Sequence, residues 1–551
     1  MKFQISLGKV FFPLLFSSLI ILCLAGCAED SSILNNGGNK ELEFSVKTCG
    51  WNSSNRSSSD SRPDSRATPI SGNTFDTSNS FNVIADINKG GNWSTEVKNE
   101  IASYSTANNI WQTTATHYWP GKGSTMDFYA YYPTSISSDI THTIGSAPIL
   151  SYTVLDNATD QIDILASSKT GIAGDSYNQT SVDFKHIFAA VQFSVGSSGM
   201  PSGTITSITI SGIKNSGTYA FGSGWTLNFG TTTFKVSPST VINGISGENI
   251  TSGTYTFLMI PQTFSNAAIT LTYNTGTIYT KTISGTWNAG NTYTYNLSKP
   301  VNIGDYYYSD GTWGSIAEHE NSTASPIGVI FSNSTSNIDK GHNWTHGYAM
   351  ALQNAGSGAA TYQWYTSDSG NPTGTYITGV DNIMSDKDGY THSSYLQTSG
   401  YAASFAAMGY MAKDKNGNVI ATPSATSGWY LPSIGQWYDI CASLGGMVIA
   451  SGKAYTNSGT YYLRWYSGDD SSGKDYSSLC ASNLNVYLNA LKEKDYSVDL
   501  FSDNREYYWS SSECNSSCAY CVPFYSDGGI GLNDRLNNKT YSYRARPVVA
   551  F

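Results

Sequence analysis

From Leu42 onward the chain is built of short apolar alternations. Leu42, Phe44 and Val46 alternate with Glu43, Ser45 and Lys47, the period of a half-buried strand. Strand-like runs recur at 81–84, 126–132, 182–195, 205–213, 255–260, 268–273 and 293–297, with Gly, Asn, Ser and Pro between them. Many short strands with such turns predict β-sandwiches. Residues 52–66 interrupt the pattern with Asn, Ser, Asp, Pro63 and the arginines Arg56, Arg62 and Arg66. Having no apolar residue to anchor it, this stretch reads as an exposed loop. Past 298–304 the texture changes. Helices are predicted over 402–411, over 434–444 after Ser433 as N-cap, and over 484–491, where Leu484, Leu488 and Leu491 stand at helical spacing. Trp- and Tyr-rich strands surround these helices, so the second half reads as α+β. No tandem repeat of about 20–50 residues is visible, which disfavours solenoids and propellers.

The first residues follow a different rule. Lys2 and Lys9 precede an apolar run over 10–24 that closes on Leu24-Ala25-Gly26-Cys27. A cationic start, a short apolar core and small residues at its end are the layout of a signal peptide, expected over 1–26. Leu24-Ala25-Gly26-Cys27 resembles a bacterial lipobox. The resemblance implies cleavage before Cys27 and lipidation of its sulfur, anchoring the chain to the outer membrane. Glu29 and Asp30, just after it, look like the surface-export signal of some Gram-negative lipoproteins. Residues 27–42 read as a flexible linker.

Composition narrows the function classes. Of 551 residues, 53 are Gly, 39 are Tyr and only 13% are charged, so long solvated helices are not the main architecture. Lys plus Arg number 30 against 40 Asp plus Glu, for a net charge of −10. Phosphate binding needs concentrated basic residues, so no nucleic-acid partner is expected. At 39% hydrophobic residues the chain is no polytopic membrane protein.

Several phrases in the first half carry a family likeness. They are Ser65-Arg66-Ala67-Thr68, Tyr118-Trp119-Pro120, the run from Met126 to Pro133, Asp160-Gln161-Ile162-Asp163-Ile164-Leu165-Ala166, the run from Phe184 to Phe193, Phe257-Leu258-Met259-Ile260-Pro261-Gln262 and the run from Trp287 to Tyr295. In this order they resemble the fimbrillin family, the Mfa-like and fimbrillin-A-like subunits of type V pili. The resemblance implies two transthyretin-like β-sandwich domains, here 43–196 and 197–299. It also implies maturation by cleavage after an arginine, loss of the first strand, and assembly with other pilus subunits by donor-strand insertion into the vacated groove. Arg66 would be the cut site, with Arg56 and Arg62 as competitors, and the strand at 42–46 the one removed. His186, on a buried strand, reads as a hydrogen-bonded core residue.

The second half carries Tyr306-Tyr307-Tyr308-Ser309-Asp310-Gly311-Thr312-Trp313, Gly428-Trp429-Tyr430-Leu431-Pro432-Ser433, Tyr508-Trp509-Ser510-Ser511-Ser512-Glu513 and the terminal Arg544-Ala545-Arg546-Pro547-Val548-Val549-Ala550-Phe551. These resemble a C-type-lectin-like module, over 304–551. Such a fold implies adjacent first and last strands, with Val549 and Phe551 on one face. It also implies ligand binding on the long late loops, where Tyr525, Asn533 and Asp534 are candidates for a glycan or protein ligand. The lectin sugar triplets Glu-Pro-Asn and Gln-Pro-Asp are absent, which leaves calcium dependence open.

Cysteine use fits an export compartment. With Cys23 in the signal peptide and Cys27 lipidated, six cysteines remain, and Cys514, Cys518 and Cys521 form a dense cluster of candidate disulfide partners. His342 and His346 lack a helical context, so no metal site is expected there. Gly-x-Ser-x-Gly, His-Glu-x-x-His and Walker motifs are all absent, and neither an enzyme nor a cofactor is expected. The expectation is a surface-exposed, lipid-anchored adhesion protein, as a minor or tip pilus subunit or as a stand-alone glycan-binding lipoprotein.

Overall fold

The computed structural model describes residues 40–53, 72–356, 359–367, 370–397, 400–447, 453–457, 460–465, 480–525, 530–532 and 538–551. Cys27, Arg56, Arg62, Arg66, Asn533 and Asp534 lie outside these residues.

The fold is mainly β. In the first unit, β1 (Phe44–Thr48) and β2 (Asn52–Ser53) precede β3 (Ser80–Lys89), β4 (Asn92–Ser105), β5 (Ile110–Thr113), β6 (Ser124–Tyr132), β7 (Leu165–Ala173) and β8 (Thr180–His186). All but β2 join in the ring order β1-β8-β7-β6-β3-β4-β5. The expected first sandwich is thus a closed barrel. Closure comes from β1, which pairs on both sides: in parallel with β8, Phe44 opposite Thr180 through Thr48 opposite Phe184, and with β5 at Phe44 opposite Trp111.

Strand alternation explains why β3 and β6 are apolar on both faces. Phe81, Val83, Met126, Phe128 and Ala130 fill the barrel. Ile84, Tyr129 and Tyr131 point the other way, into the core of the second unit.

That second unit contains β9 (Ala189–Val195), β10 (Gly203–Ile213), β11 (Thr232–Val236), β12 (Phe257–Met259), β13 (Thr263–Tyr273), β14 (Ile278–Thr286) and β15 (Asn291–Leu297). Its sheets run β12-β9-β15-β2 and β11-β10-β13-β14. The expected boundary after residue 196 falls on the wrong side of β9, which pairs in parallel with β15 from Ala190 opposite Thr292 to Val195 opposite Leu297. The strand-like run 182–195, one strand by pattern, is two strands in two units, joined through buried Ile187 and Phe188.

The C-terminal unit is α+β. Its first sheet is built from β16 (Tyr306–Tyr308), β17 (Trp313–Gly314), β18 (Pro326–Ser332), β19 (Tyr348–Ala351) and, at the far end of the chain, a closing strand. Between them come α1 (Asn337–Gly341), α2 (Val380–Ser385), α3 (Gly389–Tyr395), α4 (Ala402–Met408), α5 (Ile434–Ser443) and α6 (Cys480–Lys492). The other large sheet contains β20 (Lys453–Asn457), β21 (Thr460–Trp465), β22 (Glu506–Glu513), β23 (Ala519–Phe524) and β24 (Ile530–Leu532), and β25 (Val548–Ala550) is the closing strand.

The three predicted helices are α4, α5 and α6. Ser433 caps α5 as expected: its Oγ accepts from Gln436 N–H at 3.3 Å while Gln436 Oε1 accepts from Ser433 N–H at 3.0 Å. Leu484, Leu488 and Leu491 of α6 are all buried.

One expectation needs correction. β25 is hydrogen-bonded to β19, and β16 stands elsewhere in the same sheet, so first and last strands are not paired neighbours. They meet instead through side chains, Tyr307 stacking on Phe551 at 4.3 Å.

Candidate functional site

Two features stand out: the arm at residues 40–53 and an aromatic rim on the C-terminal unit. The arm is held along its whole length by backbone pairing. Leu42 N–H donates to the His117 carbonyl at 2.8 Å, Trp119 N–H to Lys40 at 2.9 Å and Thr180 N–H to Glu43 at 2.8 Å. Leu42 and Phe44 are buried in the barrel, and Phe44 meets Phe81 and Phe128 edge-on at 6.3 and 6.2 Å.

Beyond β1 the chain leaves the barrel and crosses to the second unit. Asn52 N–H donates to Gly290 at 2.8 Å, and β2 pairs in parallel with the start of β15. At the crossing, Trp51 stacks on His186 at 3.9 Å, and His186 Nδ1 lies 2.9 Å from Asp163 Oδ2. His186 is therefore a buried structural residue, oriented by a carboxylate and covered by the arm. Its Nε2 and the Trp51 Nε1 are buried without a hydrogen-bond partner among the described residues. The arm thus covers parts of two units at once, which no strand-by-strand reading of the sequence reveals.

On the C-terminal unit, Tyr525 follows β23 and meets Tyr507 edge-on at 6.4 Å. Tyr507 stacks on Tyr543 at 4.8 Å, and Tyr541, 48% exposed, lies 6.2 Å from Tyr543. Of these tyrosines the sequence pointed to Tyr525, beside Asn533 and Asp534, which lie outside the described residues. The two-residue spacing Tyr541-x-Tyr543 is the strand signal that could have added its neighbours.

A fully buried ion pair supports this rim. Lys539 Nζ lies 2.5 Å from Glu513 Oε1, donates to Gly370 and Ser516 carbonyls at 2.8 and 3.0 Å, and sits 5.1 Å over the Trp364 ring. Glu513 also accepts from Thr373 N–H at 2.9 Å and from the Thr373 hydroxyl. With both partners satisfied, the pair pins the chain leading into Tyr541.

The serines of the 508–513 phrase are core residues as well. Trp364 Nε1 donates to Ser510 O at 2.8 Å and Ser512 Oγ to Asp386 Oδ2 at 2.5 Å. In the cysteine cluster, Cys514 N–H donates to the Cys518 carbonyl at 3.2 Å across a turn.

A separate concavity of about 210 Å³ is lined by Tyr308, His319, Leu491, Tyr496, Lys415 and Lys494. His319 stacks face to face on Tyr308 at 3.5 Å, and burial holds its pKa below the usual histidine value. His346 stands apart from His342, tilted against Trp313 at 4.8 Å, and burial likewise lowers its pKa. No group of three metal-ligating side chains occurs among the described residues.

Residues 65–304 match the family model described as Fimbrillin-like. The matched residues run from the segment before β3 through both β units to the start of the C-terminal unit. A fimbrial protein from Bacteroides ovatus is 17% identical, with 94% of this chain and 100% of that chain covered and a TM-score of 0.30. A fimbrial protein from Bacteroides vulgatus is 17% identical over 40% of this chain and 88% of that one, with a TM-score of 0.31. A candidate cell adhesion protein from Bacteroides ovatus is 13% identical over 48% and 93%, with a TM-score of 0.33. No curated protein matches the chain.

Proposed function

We propose that this chain is a cell-surface adhesion protein that joins a pilus as a minor or tip subunit. Its fimbrillin-like region would be the assembly body and its C-terminal unit the recognition head. The observation that carries the reading is the contrast between its two terminal strands. The arm closes a barrel by pairing that another strand could replace, since a strand removed from between β5 and β8 leaves unpaired N–H and C=O groups and the apolar sites of Leu42 and Phe44. The closing strand β25 is instead consumed by its own unit, every residue buried. A chain built this way would accept a donor strand while keeping β25 within its own unit, which suits a fibre end.

In this reading Cys27 carries the lipid, Arg66 is the cut site that frees the arm, and the head holds a glycan or a protein ligand without covalent chemistry. The support for the head is the tyrosine rim at Tyr507, Tyr525, Tyr541 and Tyr543, since aromatic faces stack on sugar rings. Affinity per site would be modest, with avidity from many fibres adding about 10²–10⁴.

N-terminal sequencing of purified surface fibres tests the assembly role. A mature N-terminus at Ala67 is expected; recovery only as a lipidated chain starting at Cys27, absent from fibres, defeats it in favour of a stand-alone lipoprotein. A glycan array with the full-length chain, with and without chelator, tests the head. Binding lost on Tyr525→Ala is expected. A chelator-sensitive signal lost on Asn533→Ala or Asp534→Ala would mark a calcium-dependent site, and no glycan binding at all would point to a protein ligand.

A further inference from the structure

The core of the C-terminal unit contains two neighbouring buried thiols, and nothing described above uses them. Cys441 lies near the end of α5 and Cys480 is the first residue of α6; both are 0% exposed. Both are free thiols in this structure, and the Cys441 thiol is close enough to help raise the Cys480 pKa.

The backbone is shaped to permit this approach. After α5 the chain turns through Gly445, where a Cβ would fall 2.3 Å from Cys480 Sγ and 2.5 Å from the Cys441 carbonyl oxygen. Only glycine leaves room for the sulfur there. The first turn of α6 is tied to the same turn, since Asn483 Nδ2 donates to the Gly445 carbonyl at 3.0 Å. Met447 N–H donates to Cys441 O at 3.1 Å, closing the turn beneath the pair. Two helix ends are therefore held in a register that brings the Cys480 sulfur up to the turn that follows Cys441.

We propose that Cys441 and Cys480 are joined by a disulfide in the exported protein, a bond that closes the segment 442–479 into a loop. The inference rests on the export step of the proposed function, because disulfides persist in oxidising compartments. The oxidant is a dithiol–disulfide carrier protein. The thiolate of one cysteine attacks the carrier's disulfide and forms a mixed disulfide. The second thiolate then displaces the carrier, which leaves as a dithiol with the two electrons and, in net balance, the two protons of the cysteines. Burial, reinforced by the neighbouring Cys441 thiol, pushes the Cys480 pKa well above its ordinary value, so its thiolate is scarce once the helices have docked. Exchange belongs to the stage before docking, after which the bond is shielded from reductants.

The test is peptide mapping of the full-length chain recovered from the cell surface, alkylated under denaturing conditions without reductant. A single cross-linked species containing Cys441 and Cys480, split by reduction, is expected. Recovery of both as alkylated thiols, or either one bridged to Cys514, Cys518 or Cys521, overturns the proposal. N-terminal sequencing of the same preparation reports the address separately, so a surface-located protein with both thiols alkylated sinks the bridge alone.

Thermal unfolding gives an independent reading. Cys480→Ala should lower the Tm of the C-terminal unit by about 10 °C without reductant. Reductant present during unfolding should bring the wild-type chain down by much of that amount and leave the variant unmoved. A wild-type Tm that is insensitive to reductant while Cys480 is found alkylated contradicts the bond.

Discussion

Among the described residues the first and last strands, β1 and β25, are held in different ways. β1 is a short strand with one exposed side chain, Lys47, pinned by backbone pairing to β8 and by a single opposite residue to β5. β25 is the last strand of its sheet, paired to β19 on one side and bridged at Val548 to Tyr430 on the other. Val548 exchanges two backbone hydrogen bonds with Tyr430 at 2.9 Å, Ser427 N–H donates to Ala550, and His346 N–H donates to Phe551. Arg546 is fully buried, giving its guanidinium to the Ala351 and Asp499 carbonyls at 3.1 and 2.5 Å. A strand held chiefly by ladder bonds can be exchanged for another of like shape, because every strand offers the same ladder. A strand held by a buried charge and by packing on both faces cannot be exchanged without unfolding its unit.

The strongest way to break the comparison is a charge in the closing strand. Val549→Asp places an unpaired carboxylate among Tyr307, Ile327, Trp429 and Phe551 and should cost at least about 5 kcal/mol. The C-terminal unit should lose its cooperative transition in calorimetry while the barrel keeps its own. Next in size is Phe44→Ala, a buried aromatic truncation worth about 3–5 kcal/mol. Its effect should stay in the barrel, seen as faster amide exchange at 110–113 and 180–186 and unchanged protection at 548–550. Equal loss of protection at both ends would erase the distinction drawn here.

Ser433→Ala is smaller. It removes the α5 cap and leaves the Asp386 carbonyl without the hydroxyl 2.6 Å away, for about 1–2 kcal/mol in urea titrations of the C-terminal unit.

The smallest expected effect is a drift with pH. His319 and His346 have pKa values lowered by burial from the ordinary 6.5, so the fold keeps them neutral. Above about 6.5 neither folded nor unfolded chain carries their charge. As pH falls through that value the unfolded chain takes up protons that the fold refuses, and stability declines until the folded pKa is reached. Both histidines belong to the C-terminal unit, so its melting temperature should fall between pH 7.5 and 5.5. His319→Gln together with His346→Gln should flatten that histidine-dependent drift.

Local pattern made much of this legible. The alternation at 42–47 marked β1, the Ser433–Gln436 spacing marked a capped helix, and Leu484, Leu488 and Leu491 marked the buried face of α6. What stayed hidden depends on partners distant in sequence. Nothing near Phe44 announces Trp111, so the barrel read as an open sandwich. The run 182–195 reads as one continuous strand, and periodicity cannot show that the chain changes sheets at Ile187. The tyrosine rim draws on residues 507 to 543, and the Glu513–Lys539 pair looks in sequence like two solvated surface charges. The nearness of the two thiols depends on a glycine turn whose purpose appears only when α6 is set against it.

The closed seam of the barrel also bears on how the chain behaves at high concentration. An uncovered strand edge is a template for any other chain with a ladder to offer, and a crowded population of open barrels would stick to itself without order. With β1 between β5 and β8 that edge does not exist. The arm is in this sense a built-in chaperone, keeping that seam of the barrel closed to its copies.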